Sequence, residues 1–203
     1  MPGPGADIIT DGPAKDASES FVTRTIAQAL ADYGHAYGLK SVALRYFNAS
    51  GADPEGEIGE DHTPETHLIP LAIRSAFNGP QLKVFGTDFA TTDGTAVRDY
   101  VHVEDVANAH LLAANYLESG GKSETFNLGT GVGYSIKEII ALVEKVTGNR
   151  VIFQFGDRRP GDPPLLVANI SFAKEVLQFE PKHDIISIIG TAYNWETRDD
   201  NEQ

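Results

Sequence analysis

Two guanidinium groups in well-separated segments of this chain have the setting needed to capture phosphate. Arg98 lies in Val97-Arg98-Asp99-Tyr100-Val101-His102-Val103, between a loop containing Gly94 and a helix that opens near Val103, so its head group can emerge at a cleft edge. A planar guanidinium grips a diphosphate through two parallel hydrogen bonds, which a lysine ammonium does not do. Arg159 belongs to Arg158-Arg159-Pro160-Gly161-Asp162, where Pro160-Gly161 sets a tight turn and lets a cation and an anion, Asp162, face adjacent parts of one nucleotide. Asn48 ends the string Leu44-Arg45-Tyr46-Phe47-Asn48, at the carboxyl edge of a strand, where open α/β sheets place ligand-contacting groups. Taken singly these features are ordinary: a turn with solvated charges, surface ions at Arg98 and Asp99, a buried strand ending on an asparagine. His102 reads as a histidine hydrogen-bonded in the core rather than a base.

The elements that must position these groups alternate between helix and strand. Val22, Ile26, Ala29, Leu30, Tyr33 and Tyr37 recur at helical spacing before Gly38, and Ser41 to Phe47 follows as a buried parallel strand. A loop from Ala49 to Glu65, rich in acidic residues, leads to a helix from Leu68 to Phe77 with Pro70 in its first turn. Leu82 to Phe85 is a short strand, and Gly86 to Gly94 a polar loop. In the third helix Val103, Val106, Ala107, His110, Leu111, Ala114 and Leu117 share one face. Thr125 to Leu128 is a second sheet strand. Ser135 and Glu138 form a capping box that opens a helix with Ile136, Ile139, Ile140, Val143 and Val146 on one side and Gly148 at its end. Val151 to Phe155 is a strand, and Phe172 to Phe179 and Ile185 to Trp195 are closing helices. Residues 1–17, punctuated by Pro2-Gly3-Pro4-Gly5 and Asp11-Gly12-Pro13, read as a flexible lead.

Composition removes several functional classes. The chain has 203 residues, 41% hydrophobic and 22% charged, enough for a sizeable core. Its net charge of -13 repels nucleic acid and anionic bilayers, so an anionic ligand must be captured by local cations. Cysteine is absent, which excludes disulfides and thiolate metal sites, and no metal site is expected. No apolar run near the amino terminus resembles a signal peptide, so a cytoplasmic location is expected.

Arg45-Tyr46-Phe47-Asn48-Ala49-Ser50-Gly51-Ala52, the eleven residues from Val97 to Ala107, and Arg158 to Asp162 together resemble the carboxyl-terminal part of the UDP-glucose 4-epimerases, in the extended short-chain dehydrogenase/reductase family. The resemblance runs from about Thr23 to Trp195. It implies an α/β, truncated Rossmann-like fold, with a partial parallel sheet and a small substrate-binding domain intertwined over residues 18–203. It assigns a hydrogen bond to the nucleotide sugar to Asn48, and contacts to uridine and glycosyl groups to His67, Leu68, Lys83 and Phe85. It gives phosphate to Arg98 and Arg159, and the ribose hydroxyls to Asp162. Tyr46 and Phe47 fall on the nicotinamide side of the cofactor. Asn127-Leu128-Gly129-Thr130-Gly131 resembles a phosphate loop but is a structural turn in the family. Leu166 stands where several epimerases carry a tyrosine near the sugar, which leaves the hexose open.

Those enzymes are isomerases of galactose metabolism. They interconvert UDP-glucose and UDP-galactose by NAD-dependent oxidation and reduction at C4, using a Gly-x-x-Gly-x-x-Gly turn for the dinucleotide and a Tyr-x-x-x-Lys pair for the proton. Neither motif occurs in this sequence, and Glu19 and Thr23 fall at the tyrosine and lysine positions. The resemblance therefore implies no catalytic pair, no NAD binding by this chain alone, and only weak binding of UDP or UDP-hexose. The strand Ser41 to Phe47 lacks its family neighbour, and the first helix belongs in the family to a dimeric four-helix bundle, so a homodimer or association with a separate amino-terminal half is expected. Two further readings stand beside this one: the second half of a split epimerase, and a non-catalytic structural or interaction subunit.

Overall fold

A computed structural model describes residues 21–198, with side chains from residue 25 onward. The lead at 1–17 and Glu19 lie outside the described residues, as do the side chains of Val22 and Thr23. Helix α1 spans Phe21–Tyr37 and strand β1 Val42–Tyr46, which pairs in parallel with β5 (Glu124–Leu128) in the register Leu44↔Phe126. At Phe47 the chain leaves this pair. The Phe47 N–H donates to the Leu128 carbonyl at 3.0 Å, and β2 (Asn48–Ser50) then runs parallel to β4 (Val97–His102). β4 is the hub of its sheet, pairing also with β6 (Gly133–Ser135) antiparallel and β8 (Leu165–Leu166) parallel. β3 (Leu82–Phe85) and β7 (Phe153–Gly156) form a separate parallel pair.

Because side chains alternate along a strand, β4 serves two cores. Tyr100 packs with α2 (Leu68–Ala76), α4 (Ile136–Thr147) and α6 (Ile185–Glu196), whose apolar stripes bring together Ile69, Ile73, Ile139, Val143, Ile188 and Ile189. Val101 points the other way, to Val106 and Ala109 of α3 (Val103–Glu118), Phe126 and Leu128 of β5, and Ala173 of α5 (Ser171–Leu177). The expected capping box at Ser135 and Glu138 has both of its hydrogen bonds, and Gly148 closes α4 at φ 72°.

The structure corrects several expectations. The chain pairs again at Asn48–Ser50 before the acidic loop begins. The strand expected at Val151 to Phe155 lies at Phe153–Gly156, since Val151 is bound instead by Glu144 through its N–H. α3 turns Val106, Ala109 and Ala113 inward and leaves Leu111 66% exposed. That helix carries alanine on two sides, so the apolar stripe chosen from spacing alone is the wrong one. Among the described residues β1 pairs only with β5. α1 has no buried residue from 25 to 37, and Ile26, Tyr33 and Tyr37 are exposed.

Asp99 is not a surface ion. Its side chain is fully buried and accepts from the N–H and Oγ1 of Thr130 (2.9 and 2.7 Å), the N–H of Gly131 (2.9 Å) and the N–H of Ala168 (3.1 Å). A Cβ at Gly129 would lie 2.5 Å from the Asp99 carboxylate, so only glycine lets this turn close. Asp99→Ala removes the acceptor of three backbone N–H groups and the better acceptor of the Thr130 hydroxyl, which keeps only the Val132 carbonyl at 3.4 Å, at about 1–3 kcal/mol for each donor left buried. Urea unfolding is expected to show a loss of at least about 3 kcal/mol, and a variant within 1 kcal/mol of the parent would contradict this account.

His102 is also fully buried. Its Nδ1 accepts from the Glu104 N–H at 3.1 Å and so caps α3, which leaves Nε2 as the donor to Thr191 Oγ1 at 3.0 Å. Burial, and then the neighbouring His183 ring, push its pKa from 6.5 down to about 4. Between those values the unfolded chain binds a proton that the folded one refuses, so the His102 contribution is complete above pH 6.5 and fades as pH falls toward 4. His102→Asn keeps a capping acceptor without the titration. Thermal unfolding across this range should show a shallower pH dependence in the variant, and parallel curves would exclude His102 as the source.

Candidate functional site

Asn48, His67, Leu68, Lys83, Phe85, Arg98, Arg159 and Asp162 line one pocket of about 190 Å³. They arrive from separate elements. Lys83 and Phe85 are two apart on β3 and share its outer face, while Leu82 and Val84 turn into the core. Arg98 occupies the face of β4 opposite Asp99, and β2 sets Asn48 across from Tyr100. His67 and Leu68 come from the amino terminus of α2, and Arg159 and Asp162 from the turn closed by Gly161 at φ 84°.

Hydrogen bonds fix most of these groups. The Asn48 side-chain amide donates to the Asp99 carbonyl at 2.7 Å. Arg98 Nη1 donates to the carbonyls of Val97 (2.8 Å) and Pro163 (3.0 Å), which pins the segment after the turn against β4 and leaves Nη2 at 3.9 Å from Asp162. Burial pulls the Arg98 pKa below its ordinary value, with Asp162 acting in the opposite direction. Burial also raises the hydroxyl of Tyr100, so it stays a neutral group near Arg98. Arg159 Nε donates to Asp162 Oδ2 at 2.9 Å, and its guanidinium lies 4.8 Å from the centre of the Phe85 ring, which Lys83 approaches at 5.1 Å. Arg158, outside the pocket, bonds the Asp162 carbonyl and covers Phe89.

The charged lining residues are Lys83, Arg98 and Arg159 against Asp162, three cations and one carboxylate, a net of +2 in a chain of -13. An apolar plate, two guanidinium groups and one carboxylate can together hold an aromatic base, phosphates and hydroxyls. Such a volume is below the roughly 300–1,000 Å³ of pockets that enclose a whole small molecule, so it has room for only part of an extended ligand.

Ser50 and Tyr100 also line the pocket and were not named from the sequence. Each lies two residues beyond a named one on the same strand, Asn48 on β2 and Arg98 on β4, and so shares its face, but neither strand is marked in the sequence. Leu166 pairs with Arg98 in the β8–β4 register but is not part of the lining. Tyr46 and Phe47 are not part of it either: Tyr46 is 52% exposed at the end of β1.

A second cavity of about 630 Å³ separates α1 from the β1–β5 pair, lined by Ala27, Leu30, Ala43, Arg45, Thr125 and Phe172 among others. Among the described residues no glycine-rich turn opens a helix there, and the sequence holds no Tyr-x-x-x-Lys pair. No helix among the described residues is long and apolar enough to cross a membrane.

Comparison with known proteins places this geometry. The model of the NAD dependent epimerase/dehydratase family matches residues 22–129. A UDP-glucose 4-epimerase of Rhizobium meliloti is 53% identical over 172 residues, 84% of this chain and 52% of the relative, and that of Lacticaseibacillus casei is 51% identical over 79% and 49%. The solved UDP-glucose 4-epimerase of Brucella ovis, in complex with NAD, superposes with a TM-score of 0.81 at 49% identity, covering 86% of this chain and 55% of that one. The Bifidobacterium longum enzyme, in complex with NAD+ and UDP, gives 0.80 at 34% identity over 86% and 53%. The chain spans about half the length of the curated relatives it matches, and it belongs to the NAD dependent epimerase/dehydratase family, among relatives that are UDP-glucose 4-epimerases.

Proposed function

We propose that this chain supplies the nucleotide-sugar pocket of a UDP-glucose 4-epimerase and binds UDP or a UDP-hexose through Arg98, Arg159, Asp162 and Asn48. The observation that carries the reading is the convergence of eight residues from five separate segments on one cationic pocket in a strongly acidic chain. The Phe85 ring and Leu68 accommodate the base, the guanidinium groups take the phosphates, Asp162 takes the ribose hydroxyls, and His67 and Lys83 reach the glycosyl side. NAD enters only as the family's hydride acceptor. Tyr46 and Phe47 are the residues of this chain on its nicotinamide side, and no step of the redox cycle is assigned to residues present here.

Calorimetric titration with UDP tests the pocket. The parent chain should bind, and Arg159→Ala should weaken binding by about tenfold or more, since a charge-assisted hydrogen bond contributes about 1.5–3 kcal/mol. Equal affinities would remove Arg159 from the site, and no UDP binding by the parent would refute the proposal.

The same reading extends to assembly. The face of α1 bearing Ile26, Tyr33 and Tyr37 is exposed, and burying a large apolar side chain is worth about 1.5–3 kcal/mol. A second copy of the chain is the proposed cover, through α1. Light-scattering mass over a dilution series should exceed that of the 21.9 kDa monomer and fall to it in Ile26→Glu. A parent that stays monomeric throughout would exclude self-association.

A further inference from the structure

We infer that Glu60, His62, Glu65 and His67 form a divalent-cation site, suited to zinc, at the rim of the pocket. Four donor atoms converge there from eight consecutive residues: Glu60 Oε1, His62 Nδ1, Glu65 Oε1 and His67 Nδ1, all within 4.8 Å of one another. Four of the six separations are known individually. His67 Nδ1 lies 2.6 Å from Glu60, 3.0 Å from Glu65 and 3.4 Å from His62 Nδ1, and His62 Nδ1 lies 3.3 Å from Glu60. Zinc bound at about 2.0–2.2 Å by nitrogen and oxygen spaces tetrahedral ligands roughly 3.3–3.5 Å apart, so a small outward movement of the half-exposed rings admits the ion. Two imidazoles and two carboxylates are a donor set for zinc rather than for magnesium or calcium, which prefer oxygen throughout.

Several observations show a cluster built for a cation rather than a chance meeting of surface groups. The Glu65 side chain is only 2% exposed, and its Oε2 is the one buried side-chain oxygen among the described residues without a hydrogen-bond partner. Its nearest cation, Arg74, stands 4.0 Å away and is committed to Glu196 through bonds of 2.7 and 2.9 Å. Glu65 Oε1 is aimed into the cluster by the N–H groups of Thr66 and His67. The far end is anchored too: Trp195 Nε1 donates to the Glu60 carbonyl at 2.8 Å, and Gly59 packs so closely on the Trp195 ring that a Cβ would overlap it. The rings of His62 and His67 stack at 5.1 Å, 6° from parallel, with both Nδ1 atoms turned toward the carboxylates. Two carboxylates face two imidazole nitrogens there, and a divalent ion would balance the two negative charges while using one donor atom from each side chain.

The contrast with His102, Glu104 and His183 sharpens the choice. Those groups also cluster, but His102 spends Nδ1 on the α3 cap and Nε2 on Thr191, so neither nitrogen has a lone pair for a metal. The absence of cysteine sets the expectation of no metal site, but Glu60-Asp61-His62-Thr63-Pro64-Glu65-Thr66-His67 offers nitrogen and oxygen donors instead of thiolates. With four protein ligands the site is closed, so the ion is structural. It would brace the loop that delivers His67 to the pocket, ligating through Nδ1 and leaving Nε2 as the ring's remaining hydrogen-bonding atom. The inference does not depend on which ligand the pocket takes.

The test uses the 203-residue chain stripped with chelator and titrated with zinc sulfate in a non-chelating buffer, with zinc retained after dialysis measured by elemental analysis. One zinc per chain is expected. His62→Ala and Glu60→Gln, neither of which touches the pocket, should each weaken zinc at least about tenfold, as loss of even a supporting group near a metal does. Circular dichroism of the zinc-free variants should match that of the zinc-free parent, so that lost binding is not lost folding. His183→Ala should retain zinc. A stripped parent that takes up no zinc overturns the inference even if a variant misfolds, as does zinc retained equally by the parent, His62→Ala and Glu60→Gln, or lost only in His183→Ala.

Discussion

The carboxylate of Asp99 sits at the centre of β4 with no solvent exposure, and four donors from two distant stretches of chain close around it. A buried charge is tolerated only when hydrogen bonds replace its water, so Thr130, Gly131 and Ala168 have little freedom of position once Asp99 is in place. That fixes the turn after β5, and through it the start of β6 and the capping box that opens α4. It also fixes the stretch that leads into α5. Because strand side chains alternate, holding Asp99 on one face holds Arg98 on the other. The cation at the pocket is thus oriented by the anion behind it, although the two side chains never meet.

Charge explains why so few residues can carry binding. A chain of -13 offers a phosphate no long-range attraction, and the pocket reverses the sign only over the span of Lys83, Arg98 and Arg159. Asp162 tempers that field and gives it direction: it receives Arg159 through an ordered hydrogen bond and lies 3.9 Å from Arg98. Aromatic support does the rest, since Phe85 lies beside both Lys83 and Arg159 and limits the conformations those long side chains can sample. Arg98 needs no such support, because its Nη1 is already bound to two carbonyls.

What could be read from the sequence divides along physical lines. α4 was legible to its caps, because Ser135, Glu138 and Gly148 act within a few residues of themselves and an apolar stripe runs between them. β1 and β5 were legible as two β-prone runs of a parallel sheet, though not their pairing with each other. β2, β6 and β8 were not, being two or three residues long and too short for alternation to register. α3 misled because alanine on two sides gives two apolar stripes, and only packing against β1 and β4 selects Val106, Ala109 and Ala113. Asp99 was invisible for a different reason: its donors lie 31, 32 and 69 residues away, and nothing local marks an aspartate as buried. The eight pocket residues were found through motif resemblance, since five segments must fold together before their proximity exists. Ser50 and Tyr100 lie on β2 and β4, neither of which stands out as a strand in the sequence, and were missed.

The arrangement of the cores separates two properties that a complete redox enzyme would combine. Among the described residues neither apolar cluster draws on α1: one gathers α2, α4, α6 and β3, the other β1, β5, α3 and α5, and β4 contributes to each. The pocket hangs on the first cluster and on β4. The open edge of β1 and the cavity beneath α1 belong to the margin of the second. Anything that covers that edge can therefore complete the parallel sheet without rebuilding the pocket, because the two meet only through Phe47, where the chain passes from β1 to β2. The pocket of Arg98, Arg159 and Asp162 is consequently a property of local geometry already in place.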